Sequence, residues 1–311
     1  FQTRVKDPNP EPRAMDEEHA PAVTPALPDK ELAANFTNDS AMMIAFERAL
    51  ETRRGVDALF QDPFAEILAG PKGQVLSDSF GAGSAHFGLP DWPEFHKTWT
   101  AVRTRFIDDQ IVKVAENKEC KIEQLVNLGA GMDTRAYRLE ACKTFLNGCF
   151  DVDMASINDE KRAIFNHVLQ NPASKCKLAT IDLDFLGDKT LQEGLAEAGF
   201  TADKPSLFVA EGLIMYLGPE GKFKLIRDVS AVAAPGSVWV LQFLDPSEGP
   251  AADTPQAKFG LTTQEAAEAL KENGWKDVNF WKFGEEGLNF DRFPSKFKPC
   301  AGFSFAVAVK A

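Results

Sequence analysis

The chain has 311 residues, 44% of them hydrophobic, and a formal net charge of −12 at pH 7. This length and hydrophobic content suffice for one large domain or two small ones with a buried core. Nucleic-acid binding needs clustered Lys and Arg, and a membrane span needs about 20 consecutive apolar residues. The sequence has neither, so we expect no nucleic-acid surface and no membrane insertion.

The N-terminal third divides into an arm, a helix and a loop. Residues 1–35 hold six prolines among charged residues and alanines, and such a segment cannot bury a core. We predict a flexible or extended arm there. A helix is predicted to start at Asn38 or Ser40. The glycine-rich residues 70–91 predict a long loop, either disordered or a cover for a site.

A second helix is predicted over about residues 91–117, because its apolar residues share one broad face at the ~100° per residue of an α-helix. That face consists of Phe95, Trp99, Val102, Phe106, Ile107, Ile111 and Val114. Arg103 lies near its middle, whereas Arg105 lies well outside it. A guanidinium in an apolar face requires an anion, which can be a structural carboxylate or the carboxylate of a ligand.

A strand predicted at residues 125–128 runs into Gly129, Ala130 and Gly131, and a helix is predicted to start at Thr134. Glycines after a strand let backbone amides approach a ligand closely, because no Cβ stands in the way. The usual ligand of such a turn is a nucleoside-bearing cofactor. As a dinucleotide fingerprint the turn is incomplete, since Thr134 occupies the third glycine position.

Acidic residues end the strands that follow the glycine turn. Asp153 lies 22 residues beyond Gly131, a placement that suits two ribose hydroxyls. Asp182 and Glu211 end two later strands in the same way. Ligands of open α/β sheets bind at the carboxyl ends of the strands, so we expect these carboxylates to share one cleft. For any one acid, a helix cap or a solvated loop end is the alternative.

Beyond the glycine turn, strands and helices alternate as in an α/β sheet. Strands are predicted near residues 122–128, 148–152, 177–182, 206–211, 237–244, 276–283 and 302–309. Helices are predicted near residues 155–169, 188–198, 219–233 and 263–273. Residues 245–260 and 284–302, which are rich in Pro and Gly, are predicted to be long loops.

Three of these motifs, at residues 128–134, 151–153 and 210–217, together resemble the leucine carboxyl methyltransferase-like family. That family includes bacterial S-adenosylmethionine-dependent O-methyltransferases associated with polyketide pathways. Residues 40–63 and 102–109 resemble two further blocks of the bacterial branch. The motifs are specific as an ordered set, although no single one is specific alone.

The resemblance covers roughly residues 38–311 and implies an α/β fold of the Rossmann-like class I methyltransferase type. Such a fold has a seven-stranded, mostly parallel sheet with helices on both faces, here with an N-terminal helical cover. Residues 36–118 would form a cap on the substrate side. Residues 119–311 would bind S-adenosyl-L-methionine and release S-adenosyl-L-homocysteine.

The family's cofactor contacts and the strand-end acids together predict a set of binding residues. Arg103 would hold the carboxylate of the methionine moiety, and Glu211 would hold its ammonium group. The backbone at Gly129, Ala130 and Gly131 would approach the methionine part and the ribose, and Asp153 would accept from the ribose hydroxyls. Asp182 and the Leu183 amide would contact the adenine. Tyr216 is a candidate catalytic residue that faces the acceptor, with a core tyrosine as the alternative. Arg135 is expected to pair with Asp133 or Asp153.

The acceptor is expected to be a small molecule or a carboxyl group. A carboxylate is already ionised at neutral pH, whereas a phenol or an alcohol requires a general base, and the sequence indicates none. This weakly favours a carboxylate. A methyltransferase fold kept as a silent binding protein and a nicotinamide-dependent dehydrogenase are the alternatives. Oligomeric state is not indicated.

The five cysteines form an odd set without a Cys-x-x-Cys pair: Cys120, Cys142, Cys149, Cys176 and Cys300. This pattern argues against a disulfide framework and a zinc site and is compatible with a reduced cytosol. We therefore predict a cytoplasmic protein without a bound metal. Since the first residue is Phe, an organelle address upstream of Phe1 stays open.

Overall fold

The computed structural model describes residues 30–82, 92–119, 121–247, 260–293 and 300–311. Its helices are α1 (Lys30–Thr52), α2 (Ala65–Ala82), α3 (Trp92–Glu116), α4 (Arg135–Arg138), α5 (Ala155–His167), α6 (Leu191–Glu197), α7 (Gly218–Val232) and α8 (Thr263–Glu272). Its strands are β1 (Gln124–Leu128), β2 (Gly148–Asp153), β3 (Leu178–Asp182), β4 (Leu207–Ala210), β5 (Val238–Phe243), β6 (Trp275–Phe283) and β7 (Cys300–Lys310). Short 3-10 turns lie at Gly55–Asp57, Glu140–Thr144 and Ile214–Tyr216.

The seven strands form one sheet in the order β3-β2-β1-β4-β5-β7-β6. β1 to β5 are parallel, and β7 is antiparallel to both of its neighbours. The strand order reverses direction between β1 and β4, and ligands of open α/β sheets bind at such a switch point. The predicted mostly parallel sheet is confirmed, and every strand lies within two residues of its predicted position.

Alternating side chains of β1 contribute to two layers of the core. Val126 and Leu128 belong to the layer that contains α6, α7 and α8. Leu125 belongs to the opposite layer, together with Phe106 and Ile107 of α3. Because successive residues of a strand point to opposite faces, a strand covered on both sides is mostly apolar. This explains the apolar runs of β1, β4 and β5, in which Asn127 and Gln242 are buried polar exceptions.

The apolar face predicted for α3 is confirmed. Phe95, Trp99, Val102 and Ile111 are fully or almost fully buried. They lie in the same core layer as side chains of β1, β4, β5 and β7. The helix therefore packs directly on the sheet, so the predicted cap (residues 36–118) and the predicted cofactor domain share one core.

The first two helices differ from the prediction. α1 begins at Lys30, so residues 30–35 of the predicted arm are helical; they are mostly good helix formers. Residues 70–82 were predicted as loop but belong to α2, which is interrupted at Gly70 (φ 54°). The helix resumes there because Pro71 is tolerated in a first helical turn, where its missing N–H costs no hydrogen bond.

Parts of the predicted loops fall on residues that the structure does not describe. These are residues 1–29 of the arm, 83–91 after α2, 248–259 after β5 and 294–299 before β7.

Candidate functional site

The turn that follows β1 is held against the end of β2. The amides of Gly129 and Ala130 donate to Val152 O at 2.9 and 3.1 Å. The amide of Gly131 donates to Asp153 Oδ2 at 2.7 Å. Gly129 and Gly131 have φ values of 67° and 48°, in the left-handed region that favours glycine. The backbone conformation of the turn therefore requires the two glycines, and this conformation places the Gly131 amide against the Asp153 carboxylate.

Helix α1 and the segment after it cover this turn. A Cβ built on Gly131 would lie 3.4 Å from Cβ of Ala41. Arg48 of α1 donates to Met132 O, and Thr134 Oγ1 donates to Asp62 Oδ2 at 2.7 Å. These contacts place the N-terminal helical cover directly on the glycine turn.

Asp153 is 6% exposed, and each of its oxygens accepts one backbone hydrogen bond. Oδ2 accepts from Gly131 and Oδ1 from the Met154 amide, both at 2.7 Å. Burial raises the pKa of the Asp153 carboxyl to about 6, although the two amides lower it. A carboxylate accepts about four hydrogen bonds, so two acceptor positions remain for hydroxyl donors. This environment fits the ribose role predicted for Asp153.

Arg103 and Glu211 form a nearly buried ion pair, with Nε 2.7 Å from Oε1. Within the described ranges, no acceptor contacts the two terminal nitrogens of Arg103, and Nη1 lies near Gly212. Two adjacent donors without an acceptor match the two oxygens of a carboxylate. Arg103 thus has the structural partner that the sequence left open and still fits a ligand carboxylate. The Arg105 side chain is 39% exposed, as its predicted position outside the apolar face requires, and it pairs with Asp109.

Glu211 is ionised at neutral pH. Burial alone would raise the pKa of its carboxyl, but the charges of Arg135 and Arg103 outweigh burial and lower that pKa to about 2. Its Oε2 accepts from Arg135 Nη1 at 2.8 Å. The carboxylate lies at the end of β4 beside the glycine turn, where it can accept the ammonium group of an amino-acid ligand.

Arg135 has a more central position than its place in the sequence indicates. This guanidinium is 3% exposed and pairs with Asp108 at 2.7 Å, with Asp133 and with Glu211. Burial would lower the pKa of Arg135, but these three carboxylates raise it well above its ordinary value. The predicted pairing with Asp133 is confirmed, and the alternative partner Asp153 is wrong.

Two further arginines extend this ion network towards the cap. Arg138 pairs with Asp108 at 2.7 Å and lies 3.7 Å from Asp62. Arg48 of α1 pairs with the same Asp62 at 2.9 Å. The network therefore joins α1, the segment before α2, α3 and α4. We name the set Arg48, Arg103, Arg135, Arg138, Asp62, Asp108, Asp133 and Glu211 the buried ion network.

Asp182 ends β3 and Leu183 follows it, and both were predicted to contact the adenine. The Asp182 side chain is 44% exposed and accepts from Asn158 Nδ2 at 2.8 Å. Burial would raise its pKa, but hydrogen bonds from Asn158 and Arg162 lower it, so an acceptor for an amine is present. The Leu183 amide donates to Asp153 O at 2.9 Å, so it already has an acceptor within the protein, and its donation to the adenine ring stays a prediction.

Tyr216 lies in the 3-10 turn after Glu211 and is 37% exposed. Burial of its hydroxyl raises its pKa, although a hydrogen bond with Ser40 and the charge of Arg103 lower it. The side chain is thus adjacent to α1 and to the Arg103 end of the site. The hydroxyl stays protonated at neutral pH and can donate a hydrogen bond.

A polar cluster that no motif indicated holds the three N-terminal helices together. Glu47 of α1 accepts from Thr100 at 2.5 Å and from Ser77 at 3.2 Å. It also contacts Nδ1 of His96 at 2.9 Å. Burial would raise the pKa of Glu47, but His96 and the two hydroxyls lower it. Glu47 therefore joins α1 to α2 through Ser77 and to α3 through His96 and Thr100.

Among the residues that the structure describes, no group of three or more His, Cys, Asp or Glu side chains is placed to hold a metal ion. In the same ranges, no helix combines the length and the apolar character needed to cross a bilayer.

Comparison with known proteins identifies the family. The sequence model of the leucine carboxyl methyltransferase family matches residues 41–230. A Mycolicibacterium gilvum protein with the provisional name S-adenosyl-L-methionine-dependent methyltransferase is 32% identical over 215 residues, 68% of each chain. A Mycobacterium bovis protein of the same provisional name is 28% identical over 256 residues, 76% of each chain.

A structural comparison agrees at the level of fold. A DUF574 family protein from Streptomyces avermitilis superposes with a TM-score of 0.55 at 15% identity, over 88% of this chain and 97% of that chain. At this identity the likeness concerns the fold alone. The family match spans more than half of the chain and includes the glycine turn, Asp153 and Glu211. The chain therefore belongs to the leucine carboxyl methyltransferase family and is an S-adenosyl-L-methionine-dependent methyltransferase.

Proposed function

We propose that the chain is an O-methyltransferase that methylates a carboxylate or hydroxyl of a small molecule, or a carboxyl terminus. The observation that carries the proposal is the pair of terminal nitrogens on Arg103, which contact no acceptor among the described residues and lie beside Glu211 and the glycine turn. This arrangement fits an amino-acid head group at one end, while Asp153 fits a ribose at the other. Bound S-adenosyl-L-methionine supplies an electrophilic methyl group on its sulfonium.

The protein's own task is then to orient the two reactants and to exclude water, because a methyl displacement requires no nucleophilic side chain. Arg103 and Glu211 would hold the carboxylate and the ammonium group, and Asp153 would accept from the ribose hydroxyls. Asp182 would accept from the adenine amine. Helix α1, which covers the glycine turn through Ala41, would keep water from the same region.

A carboxylate acceptor is favoured over a hydroxyl. The Tyr216 hydroxyl, whose pKa is raised by burial, stays protonated at neutral pH and can donate to a carboxylate oxygen. It cannot take a proton from an alcohol under the same conditions. An acceptor that is already ionised needs no such base. Tyr216 would therefore position the acceptor and contact it directly.

Turnover of a panel of carboxylic acids and phenols with S-adenosyl-L-methionine tests this proposal. Methyl esters from carboxylic acids are the expected products, and methyl ethers alone would contradict the preference for carboxylates. If S-adenosyl-L-homocysteine binds but no acceptor is methylated, the silent binding protein is the better description. The dehydrogenase alternative does not agree with the family that the sequence matches.

Replacing Asp153 by Ala should weaken binding of S-adenosyl-L-homocysteine by about 1–3 kcal/mol, the cost of losing hydrogen bonds to a charged group. Titration calorimetry measures this directly. Asp159→Ala is a matched control, because the Asp159 side chain is 72% exposed on α5 and its one ion pair among the described residues is with Arg162. Equal affinity of the Asp153→Ala variant and the wild type would remove Asp153 from the site.

Binding of S-adenosyl-L-homocysteine should also weaken as the pH falls through about 6, the value to which burial raises the pKa of Asp153. The ionised carboxylate accepts hydrogen bonds from hydroxyl donors better than the protonated form does. The affinity for S-adenosyl-L-homocysteine should therefore reach its maximum at pH values well above 6. The folding stability of the unliganded protein depends on pH in the opposite direction. This group adds stability as the pH falls from about 6 towards its ordinary value near 4, because the folded state then binds the proton more tightly.

Calorimetry at a series of pH values between about 5 and 8 checks this dependence through the proton release that is linked to ligand binding. The Asp153→Asn variant should bind weakly and with little pH dependence over the same range. A wild-type affinity that stays constant across the range would contradict the raised pKa.

The predicted cytoplasmic location stays a prediction based on cysteine usage.

A further inference from the structure

Three cysteine thiols meet in the core layer between α3 and the sheet. Cys142 lies in the 3-10 turn Glu140–Thr144, Cys149 lies in β2, and Cys176 lies just before β3. Cys142 and Cys149 are buried in one core cluster and Cys176 packs against it, which brings the three side chains together. All three are free thiols. Their sequence spacing does not indicate this contact, which arises from the pairing of β2 with β3.

The three thiols differ in access and in acidity. Cys142 and Cys149 are at most 1% exposed, whereas Cys176 is partly exposed. Contact with the other two sulfurs, together with burial, raises the pKa of Cys149. The hydrogen bond from Cys149 lowers the pKa of Cys176. A small reagent therefore reaches the cluster through Cys176, whose lowered pKa also favours the thiolate.

We propose that Cys149 and Cys176 are a peroxide-sensitive dithiol that closes to an internal disulfide. The Cys176 thiolate attacks one oxygen of a hydroperoxide and the O–O bond breaks. The released oxyanion takes up a proton, and Cys176 becomes a sulfenic acid. The Cys149 sulfur then attacks the Cys176 sulfur. The S–O bond breaks, water leaves with the Cys149 proton, and the S–S bond forms. Two thiols are oxidised and one peroxide is reduced.

The backbone favours this pair over the alternative with Cys142. The Cys149 amide donates to Lys177 O at 2.8 Å, so the neighbour of Cys176 is bonded directly to Cys149. Residues 175–176 form a bend rather than extended strand, and a bend can adjust its Cα separation to the narrow range that a disulfide requires. The bridge would enclose residues 150–175, which include Asp153 and α5.

Peptide mapping without reductant tests the proposal. The full chain is treated with hydrogen peroxide, alkylated, digested and analysed by mass spectrometry. We expect a peptide pair joined through Cys149 and Cys176, the loss of two alkylatable thiols, and recovery of both with dithiothreitol. The Cys149→Ala variant should leave Cys176 as a sulfenic or sulfinic acid without a bridge. The Cys142→Ala variant should still form the bridge.

Three outcomes would overturn the proposal: unmodified Cys176 after peroxide treatment, a bridge that uses Cys142 or another cysteine, or a mixture of intermolecular disulfides only. Circular dichroism shows whether each variant folds. If Cys149→Ala does not fold, the wild-type peptide map still tests the proposal, because it shows which two cysteines the disulfide joins.

Discussion

Replacing Arg135 by Met should lower the free energy of unfolding by about 3–5 kcal/mol, the usual cost of breaking a buried ion pair by removing one partner. Met keeps much of the apolar stem but no charge. Asp108 would retain Arg138, and Glu211 would retain Arg103. Asp133, which pairs with Arg135, would lose its partner in the buried ion network. Urea unfolding followed by circular dichroism measures the difference.

Arg54→Met is the control for this measurement. The Arg54 side chain is half exposed, and its Nε lies 3.7 Å from Glu51, so its ion pair is weak and screened by solvent. The control should unfold at nearly the same urea concentration as the wild type. If Arg135→Met behaves like Arg54→Met, the three contacts of Arg135 contribute little, and the buried ion network is not what holds the cap on the sheet.

Replacing Arg103 by Met should weaken binding of S-adenosyl-L-homocysteine by about 2–4 kcal/mol, or roughly 30- to 900-fold. The loss combines the missing bidentate contact with the ligand carboxylate and the weaker compensation of Glu211, which would keep only Arg135 of its two arginine partners. The Arg105→Met variant should bind as the wild type does, because Arg105 lies on the other side of α3 and pairs with Asp109. Titration calorimetry with both variants gives the comparison.

A ligand without the amino-acid part separates a local effect from a general one. 5′-Methylthioadenosine offers no carboxylate to Arg103, so the wild type and Arg103→Met should bind it with similar affinity. A parallel loss for both ligands would mean that the substitution disturbs the whole cleft. Equal affinity of Arg103→Met and the wild type for S-adenosyl-L-homocysteine would place the carboxylate elsewhere.

The sheet and most of the site could be predicted from the sequence because they depend on local patterns. The apolar runs of the central strands reflect burial on both faces, and their ends are marked by glycine or by an acid. Arg103 was identifiable because a charge inside an apolar helical face requires a partner. Asp153 and Glu211 followed from the rule that ligands bind at the carboxyl ends of parallel strands.

The remainder depends on contacts between distant segments, which periodicity does not encode. Arg135 and Asp108 are 27 residues apart, and Arg138 and Asp62 lie on segments that only the fold brings together. The Leu183 amide was expected to contact a ligand, and its donation to Asp153 O, beside the pairing of β2 with β3, could not be read from the sequence. In α2 the glycines suggested a loop, whereas a single left-handed residue at Gly70 allows the helix to continue.

The buried ion network also determines how the chain can be divided for experiments. An expression fragment cut at residue 118 would contain the whole sheet but would lack Asp62 and Asp108. Arg138 would then keep neither of its acidic partners, and Arg135 would keep only Asp133 and Glu211. Unpaired guanidiniums in an interior are costly, so such a truncated product should aggregate or be degraded. Production and crystallisation should therefore retain the residues from Lys30 onwards.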